Sequence, residues 1–374
     1  MPSRVAVIGA GVVGSAVALG LARRGADVTV LEAEGEPGLA ASGTNSGVLH
    51  TGFDSVPGEL ETELILRAGE LRDEVLDRLG VPVIRCGAEM RPADEGQADA
   101  VTELARNAQR NGVEATLAED GVLTVPGESV TDPVRFTLAL TGAARRHGAE
   151  LRTGFRVVEI ADADGTMQLR PEAGEHEECD VAVNCAGLGA GAVARMLGDD
   201  SFDVYPRKGE FLVFEPRGEP LDRILLPVPT KRTKGVLVFP TIDGKVVAGP
   251  TAVDQEDPGD WTVRPEAHRE IVAKAVPMYP PLADAEPVFA YAGLRPAGRG
   301  SNYVVGPSPA SPRLINVAAI RSTGLTASLG IAERVAGLVA EAGIELGPEQ
   351  ALIPAPAPEL SEPWWRRTAE YRHR

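Results

Sequence analysis

RVAVIGAGVVGSAVALGLARRGADVTVLEAE, residues 4–34, holds two short apolar runs separated by a glycine-rich turn and a helical pattern. RVAVIG is apolar after its first residue, as suits a strand buried on both faces of a parallel sheet. GVVGSAVALGLARRG places apolar residues at helical spacing and stops on Gly25, a residue that favours helix ends. DVTVLEAE reads as a second strand, so the stretch predicts a βαβ unit. Gly9, Gly11 and Gly14 form G-A-G-V-V-G directly after the first strand. The first glycine allows the tight turn, the second lets a pyrophosphate approach the backbone, and the third allows close helix–strand packing. The helix start at Val12 and Val13 offers N–H groups and a positive dipole end to phosphates. Glu32, followed by Ala33, ends the second strand, where a carboxylate can accept hydrogen bonds from ribose hydroxyls. An adenine dinucleotide is the expected ligand; a merely structural glycine turn is the alternative.

Composition sets the outer limits. A chain of 374 residues can bury a large core, as one large or two interleaved domains. The start MPSRVAVIGAG lacks a charged segment followed by a long apolar one, so no signal peptide is expected. No apolar run reaches the ~18 residues of a membrane span. Cys86, Cys179 and Cys185 show no metal-type clustering, so a disulfide framework, zinc site or iron–sulfur centre is not expected. The expected compartment is the cytoplasm. A net charge of −17 disfavours nucleic acid and favours solubility. An anionic substrate would need local cations held against that background.

Further along, residues 58–80, 98–112 and 132–148 carry helical patterns, each ending on glycine. Residues 149–165 read as strands, with Asp164-Gly165 as a hairpin turn, and 205–250 as alternating strands. Residues 179–198 and 313–343 repeat the order strand, glycine turn or loop, helix. Three such units separated by strand-rich material predict a nucleotide domain assembled from discontinuous segments, with a substrate domain inserted.

The choice between nicotinamide and flavin dinucleotide rests on the segment after Glu32. A nicotinamide domain usually continues with further βα units, whereas here GEPGLAASGTNSGVLHTG, residues 35–52, is irregular and made of small residues. Ser42, Thr44, Asn45, Ser46 and Gly47 would let backbone lie along an extended cofactor. FRVVEI places a strand at Val157 beside an adenine, and NCAGLGA a turn at Ala186 and Gly187 near a pyrophosphate. STGLTASLGIAE starts a helix at Thr323, Gly324, Leu325 and Thr326, whose positive end would stabilise charge on a reduced flavin ring. The order of these segments resembles the D-amino-acid oxidase superfamily of FAD-dependent oxidoreductases over nearly the whole chain. The resemblance implies FAD and an α/β fold: a discontinuous Rossmann-like FAD-binding domain of glutathione-reductase type, with an inserted α+β substrate domain on a mostly antiparallel sheet. The FAD-binding domain would span 1–80, 135–200 and 293–345, the substrate domain 81–134 and 201–292, and a tail 346–374.

Within the superfamily, GTNSGVLHTGFDSVPGELETEL, residues 43–64, is similar to the N-S-G-x-x-H-x-G…P-G-x-L stretch of L-2-hydroxyglutarate oxidases and bacterial FAD-dependent glycerol-3-phosphate dehydrogenase-like proteins. PRKGEF, TKGVLVFPTIDGKVVAGPTA and YAGLRPAG resemble the second group more closely. No counterpart of the cysteine-rich C-terminal domain through which some members pass electrons is expected. The resemblance implies oxidation of a CH–OH group on a small anion, glycerol-3-phosphate first and a 2-hydroxy acid such as L-2-hydroxyglutarate second, by hydride transfer to flavin N5. An amine or amino-acid oxidase and a non-catalytic flavin-binding protein are the alternatives. His50 would take the hydroxyl proton, since imidazole titrates at about pH 6.5, or would only orient flavin or substrate.

Arg295 and Gly293, in GLRP, match the position where relatives hold the substrate's anionic group, and a guanidinium grips carboxylate or phosphate with two hydrogen bonds. Arg321 and Lys208 are further substrate-binding candidates, with Lys231 and Lys234 beside them, and Glu210 and Tyr291 are weaker ones. His147, His176, His268 and His373 are expected in solvent. The end of the chain, PAPAPELSEPWWRRTAEYRHR, is proline-rich, then aromatic and basic, and is expected outside the core. Its Trp364, Trp365, Arg366, Arg367 and Tyr371 would contact a membrane surface or partner subunit, or dock on the protein's own surface. The electron acceptor stays open among oxygen, a quinone and a carrier protein.

Overall fold

The computed structural model describes residues 3–163, 165–216, 218–229 and 235–372. The opening stretch forms the expected unit. Strands Arg4–Ile8 and Asp27–Leu31 lie parallel, with Val5 opposite Val28 and Ile8 opposite Leu31, and helix α1 (Val12–Ala22) joins them. Among the described residues their sheet has six strands. In spatial order these are Val304–Pro307, Leu314–Ala318, Val181–Asn184, Arg4–Ile8, Asp27–Leu31 and Glu150–Arg152. All neighbours are parallel except the first pair. The strands come from four separated parts of the chain, so the nucleotide domain is discontinuous.

Helices α2 (Leu60–Arg78), α3 (Glu95–Arg110), α4 (Pro133–Arg146), α5 (Ala190–Arg195), α6 (Ala267–Ala275), α7 (Gly324–Glu341) and α8 (Trp364–Arg372) complete the helical set. Asp132 caps α4 by accepting from the Val134 and Arg135 amides, both at 2.9 Å, and Pro133 occupies the first helical position. α1, α2, α4 and α7 cover one face of the parallel sheet around Val5, Val7, Val28 and Val30. Small residues permit that layer: Gly20 meets Ala332 of α7, and a Cβ at Gly330 would overlap the Leu64 carbonyl of α2. The opposite face carries an antiparallel sheet of Val157–Ala163, Thr166–Pro171 and Glu177–Cys179, whose Met167 and Leu169 pack on Ala6 and Ile8. Its first hairpin sits where expected, although Asp164 lies outside the described residues.

A second sheet of nine strands among the described residues is antiparallel except where Ile224–Leu226 runs parallel to Ala88–Met90. Its longest pair is Val204–Phe214 against Phe289–Gly298, unbroken from Val204 opposite Gly298 to Val213 opposite Phe289. The expected boundary at 292/293 therefore falls inside one strand and is corrected: Gly293 and Arg295 belong to this sheet. Along Val204–Phe214 side chains alternate between faces. Leu212 and Phe214 pack under α6, while Phe211 and Val213 face a second core that includes Val48, Val130 and Trp364.

The expectation that the chain's end lies outside the core is also corrected. Trp364 and Trp365 are 2% and 5% exposed. Trp364 meets Tyr291 edge-on at 5.9 Å, and the Trp365 indole donates to Asp243 at 3.0 Å. Tyr371 donates to Glu34 at 2.8 Å, and the Arg372 guanidinium donates to the Leu39 carbonyl at 2.7 Å. A Cβ at Gly43 would overlap the Thr368 hydroxyl, so α8 clamps the small-residue segment after Glu32 onto the antiparallel sheet. Trp364→Ala is expected to cost about 3–5 kcal/mol of stability, read as an earlier midpoint in chemical denaturation. A shift under about 1 kcal/mol would mean the helix is only appended.

Candidate active site

The glycine turn is shaped by backbone contacts. Gly9 has φ +104, and a Cβ there would lie 2.6 Å from the Cys185 carbonyl oxygen, while one at Gly14 would overlap the Gly9 carbonyl oxygen. At Gly11 a Cβ would meet only the Ser42 hydroxyl, at 3.1 Å. Protein packing therefore explains glycine at 9 and 14, and leaves the space over Gly11 open to a ligand. Ser42 accepts from the Val12 amide at 2.9 Å. Among the described residues the Val13 and Gly14 amides at the start of α1 have no acceptor, as a phosphate site requires. Glu32 accepts from the Ala10 amide at 2.6 Å and the Glu34 amide at 2.9 Å, which places its carboxylate against the turn. Burial raises its pKa while the two amides oppose the rise.

Ala186 and Gly187 turn beside Gly9, because the Cys185 amide donates to the Ile8 carbonyl at 2.9 Å. A Cβ at Gly324, the first residue of α7, would approach Val13 at 3.4 Å, so the starts of α1 and α7 lie together. The Val157 and Leu325 side chains belong to the core and leave only backbone for a cofactor. These features fit the pyrophosphate and ribose of FAD.

A cavity of about 300 Å³ opens beyond this turn. Thr44, Asn45, Ser46, Gly293, Arg321 and Thr323 line one side, and His50 and Arg295 also face it. Gly47, at φ +79, turns the chain after Ser46, and its amide donates to the Asn45 side chain at 3.0 Å. The Asn45 amide group donates to the Ser322 carbonyl at 3.2 Å, which ties the small-residue segment to the approach to α7. Thr326 binds elsewhere: its hydroxyl accepts from the His50 amide at 3.1 Å.

The His50 ring is held from behind. Its Nδ1 lies 2.9 Å from Glu128 Oε2, and Glu128 Oε1 accepts from the Thr51 amide at 2.6 Å and hydroxyl at 2.9 Å. The Glu128 side chain is completely buried. A carboxylate can only accept, so Nδ1 is the donor, and in the neutral ring Nε2 carries the lone pair. Arg72 of α2 donates to the His50 carbonyl at 3.1 Å and opposes the Glu128 charge; burial lowers its own pKa. Glu128 lies 78 residues from His50 in a turn with no local motif, and only the fold joins them. Glu128→Gln is expected to lower kcat about 10- to 1,000-fold with KM and FAD content nearly unchanged, because a carboxamide can also present N–H to the ring and release its tautomer. Steady-state kinetics with the 450 nm absorbance ratio checks this; an equal fall in FAD content would indicate a structural role.

Among the described residues three guanidinium groups line the cavity. Arg207 pairs with Asp254 at 2.5 and 3.0 Å, and Arg321, in the left-handed region at φ +54, pairs with Glu61 at 2.8 Å. Arg295 differs. It donates to the carbonyls of Arg207, Lys208 and Thr251 at 3.3, 3.1 and 2.6 Å and has no carboxylate partner among the described residues. Burial and the neighbouring Arg207 charge bring its pKa down to about 10. Glycine at 209 permits this placement, since a Cβ there would sit 2.6 Å from Arg295 Nη2. Two of the three guanidinium nitrogens are thus engaged, and Nη1 faces no protein acceptor among the described residues.

Lys208 is corrected as a substrate ligand. Strand alternation turns it away from the cavity, and its ammonium binds Asp260 at 2.6 Å and the Thr262 carbonyl at 3.0 Å. Its hydrogen bond is the main reason the Asp260 pKa falls to about 2. Glu210 shares that outer face, bound to Arg264 at 2.7 Å. Tyr291 lies behind Phe211, rings stacked at 4.8 Å. Among the other histidines, His147 is half-buried and accepts from the Ile353 amide at 3.0 Å. Lys231, Lys234 and His373 lie outside the described residues. No helix among the described residues is long and apolar enough to cross a membrane.

Known proteins resemble this chain along most of its length. The family described as FAD dependent oxidoreductase matches residues 4–338. A glycerol 3-phosphate dehydrogenase of Caloramator mitchellensis is 28% identical over 87% of this chain and 72% of its own. An L-2-hydroxyglutarate dehydrogenase of Escherichia coli is 26% identical over 66% of this chain and 63% of its own. In structure, the L-alpha-glycerophosphate oxidase of Mycoplasma pneumoniae with FAD bound superposes with a TM-score of 0.87 at 23% identity, covering 96% of this chain and all of the other.

Proposed function

We propose that this chain, which belongs to the FAD dependent oxidoreductase family, oxidises the CH–OH group of a small anionic substrate, with His50 as base and Arg295 as the anion's anchor. FAD is its cofactor and, when bound, supplies the two-electron acceptor for the hydride leaving carbon. The hydroxyl proton goes to His50 Nε2, so alcohol becomes carbonyl with one proton and one hydride removed. Glu128 holds the ring so that Nε2 faces the cavity side and Nδ1 faces the carboxylate. Arg295 offers Nη1 to the substrate anion and draws it into a charged, largely enclosed site. The names of the relatives supply glycerol 3-phosphate and L-2-hydroxyglutarate as candidate substrates.

One observation carries the reading: a carboxylate-held imidazole and a guanidinium without a carboxylate partner among the described residues face one cavity. Proton abstraction from a hydroxyl needs such a base, whereas a neutral amine can lose hydride without one. The test is anaerobic bleaching of the flavin by a panel of hydroxy acids, glycerol 3-phosphate and amino acids. Bleaching by hydroxy compounds is expected, and Arg295→Met is expected to raise their KM about 10-fold or more. Bleaching by amino acids alone would replace this reading with an amino-acid oxidase. A flavin that nothing in the panel reduces would point to a binding protein without turnover.

A further inference from the structure

Helix α8 reaches the glycine turn of residues 9–14 through a continuous chain of hydrogen bonds. At its end Tyr371 donates to Glu34 Oε2 at 2.8 Å and Arg372 donates to Glu34 Oε1 at 3.1 Å. The Glu34 amide in turn donates to Glu32 Oε1 at 2.9 Å, and Glu32 Oε2 accepts from the Ala10 amide at 2.6 Å. A second path runs beside the first. Arg372 Nε donates to the Leu39 carbonyl at 2.7 Å, and the adjoining Gly38 amide donates to the Ala10 carbonyl at 3.1 Å. Both main-chain groups of Ala10, which stands between Gly9 and Gly11, thus bind a segment that Arg372 holds. Thr368, one turn earlier on α8, meets the same segment at Gly43, next to the Ser42 hydroxyl that accepts from Val12.

Charge gives these contacts a further consequence. Glu32 and Glu34 put two carboxylates beside a turn suited to a pyrophosphate. Burial is the main reason the Glu32 pKa is raised; the Glu34 charge adds to the rise and Arg372 opposes it. Burial also works against the Glu34 charge, but the hydrogen bonds from Tyr371 and Arg372 help to hold its pKa below the usual value. Arg156 lies 3.6 Å from the same carboxylate on a side chain 56% exposed, whereas the Arg372 side chain is 20% exposed and stands 5.0 Å from the Trp261 ring. Water therefore screens Arg372 less, and its charge counts for more at the turn.

We infer that α8 is a cofactor latch, in which Tyr371 and Arg372, acting through Glu34 and the Leu39 carbonyl, hold Glu32 and residues 38–43 in the arrangement that retains FAD. The inference concerns the cofactor alone and is independent of which substrate the site oxidises. Without the two donors, Glu34 and Glu32 repel each other and the segment that fixes Ala10 loosens. FAD must then order that segment as it binds, and the ordering is subtracted from its affinity. Tyr371 and Arg372 act through other residues and are positioning residues.

The test is fluorescence titration of the full-length apoprotein with FAD, at a temperature below the melting transition of every variant. Arg372→Met removes a charged donor with two acceptors and is expected to weaken FAD binding at least tenfold. Tyr371→Phe removes one hydroxyl, keeps the ring, and is expected to weaken binding about threefold. Arg366→Ala is the control: its guanidinium pairs with Glu370 on the outside of α8, away from both paths, and FAD affinity should stay within twofold of wild type. Wild-type affinity in Arg372→Met and Tyr371→Phe, even with lower melting temperatures, would make α8 a structural appendage and overturn the inference. An equal loss in Arg366→Ala would also overturn it, because general loosening of the helix would then explain the effect.

Discussion

His50→Ala is expected to lower kcat by about two to four orders of magnitude, the usual contribution of a positioned general base, with the FAD complement intact. The main-chain bonds of residue 50, from its amide to Thr326 and from Arg72 to its carbonyl, do not depend on the side chain. What the variant removes is Nε2, and with it the group proposed to take the hydroxyl proton. It also strips one oxygen of the buried Glu128 of its partner, at a cost of about 1–3 kcal/mol. His50→Asn separates the two effects: its amide can still donate to a nearby carboxylate but is no base. Both variants should bind FAD and turn over slowly. If either retains more than about a tenth of wild-type kcat, the imidazole is not the base.

Gly14→Ala is expected to yield protein without flavin, or no folded protein, because its Cβ would overlap the Gly9 carbonyl oxygen at the first turn of α1. The obstacle is backbone, so no rotamer relieves it. Gly11→Ala provides the contrast. Its Cβ meets only the Ser42 hydroxyl at 3.1 Å, so the apoprotein should fold with an unchanged melting temperature and bind FAD at least tenfold more weakly, because the methyl group enters space the pyrophosphate needs. Fluorescence titration with FAD and thermal denaturation of both apoproteins measure the two effects. Equal FAD affinity in Gly11→Ala and wild type would remove the assigned role of the turn.

Residues 4–34 were legible because strand, turn and helix are encoded there within a few residues of each other, although Gly9 and Gly20 also answer to Cys185 and Ala332, far along the chain. His50 stood out in the sequence for a related reason: it comes after a run of small residues, the kind that would let a ligand come close. The family likeness of GLRP marked Arg295, but not the way Gly209 lets its guanidinium lie across the strand to reach three carbonyls. Lys208 misled because one step along a strand reverses a side chain's face, and the face depends on which layer covers it. The terminal tryptophans misled for a different reason. A nine-residue helix after a proline-rich stretch has little stability of its own, and Tyr291, Asp243 and the loop at Gly43 supply what the segment lacks.

The order of residues along the chain was thus sufficient for the dinucleotide turn, through short-range geometry, and for the flavin class, through the order of segments over nearly the whole chain, and it singled out His50 as the candidate base. Folding alone could set Glu128 behind that imidazole and leave Arg295 as the one cavity guanidinium without a carboxylate among the described residues. Those relations join segments far apart in the chain, and sheet register and burial, which no local pattern encodes, decide them.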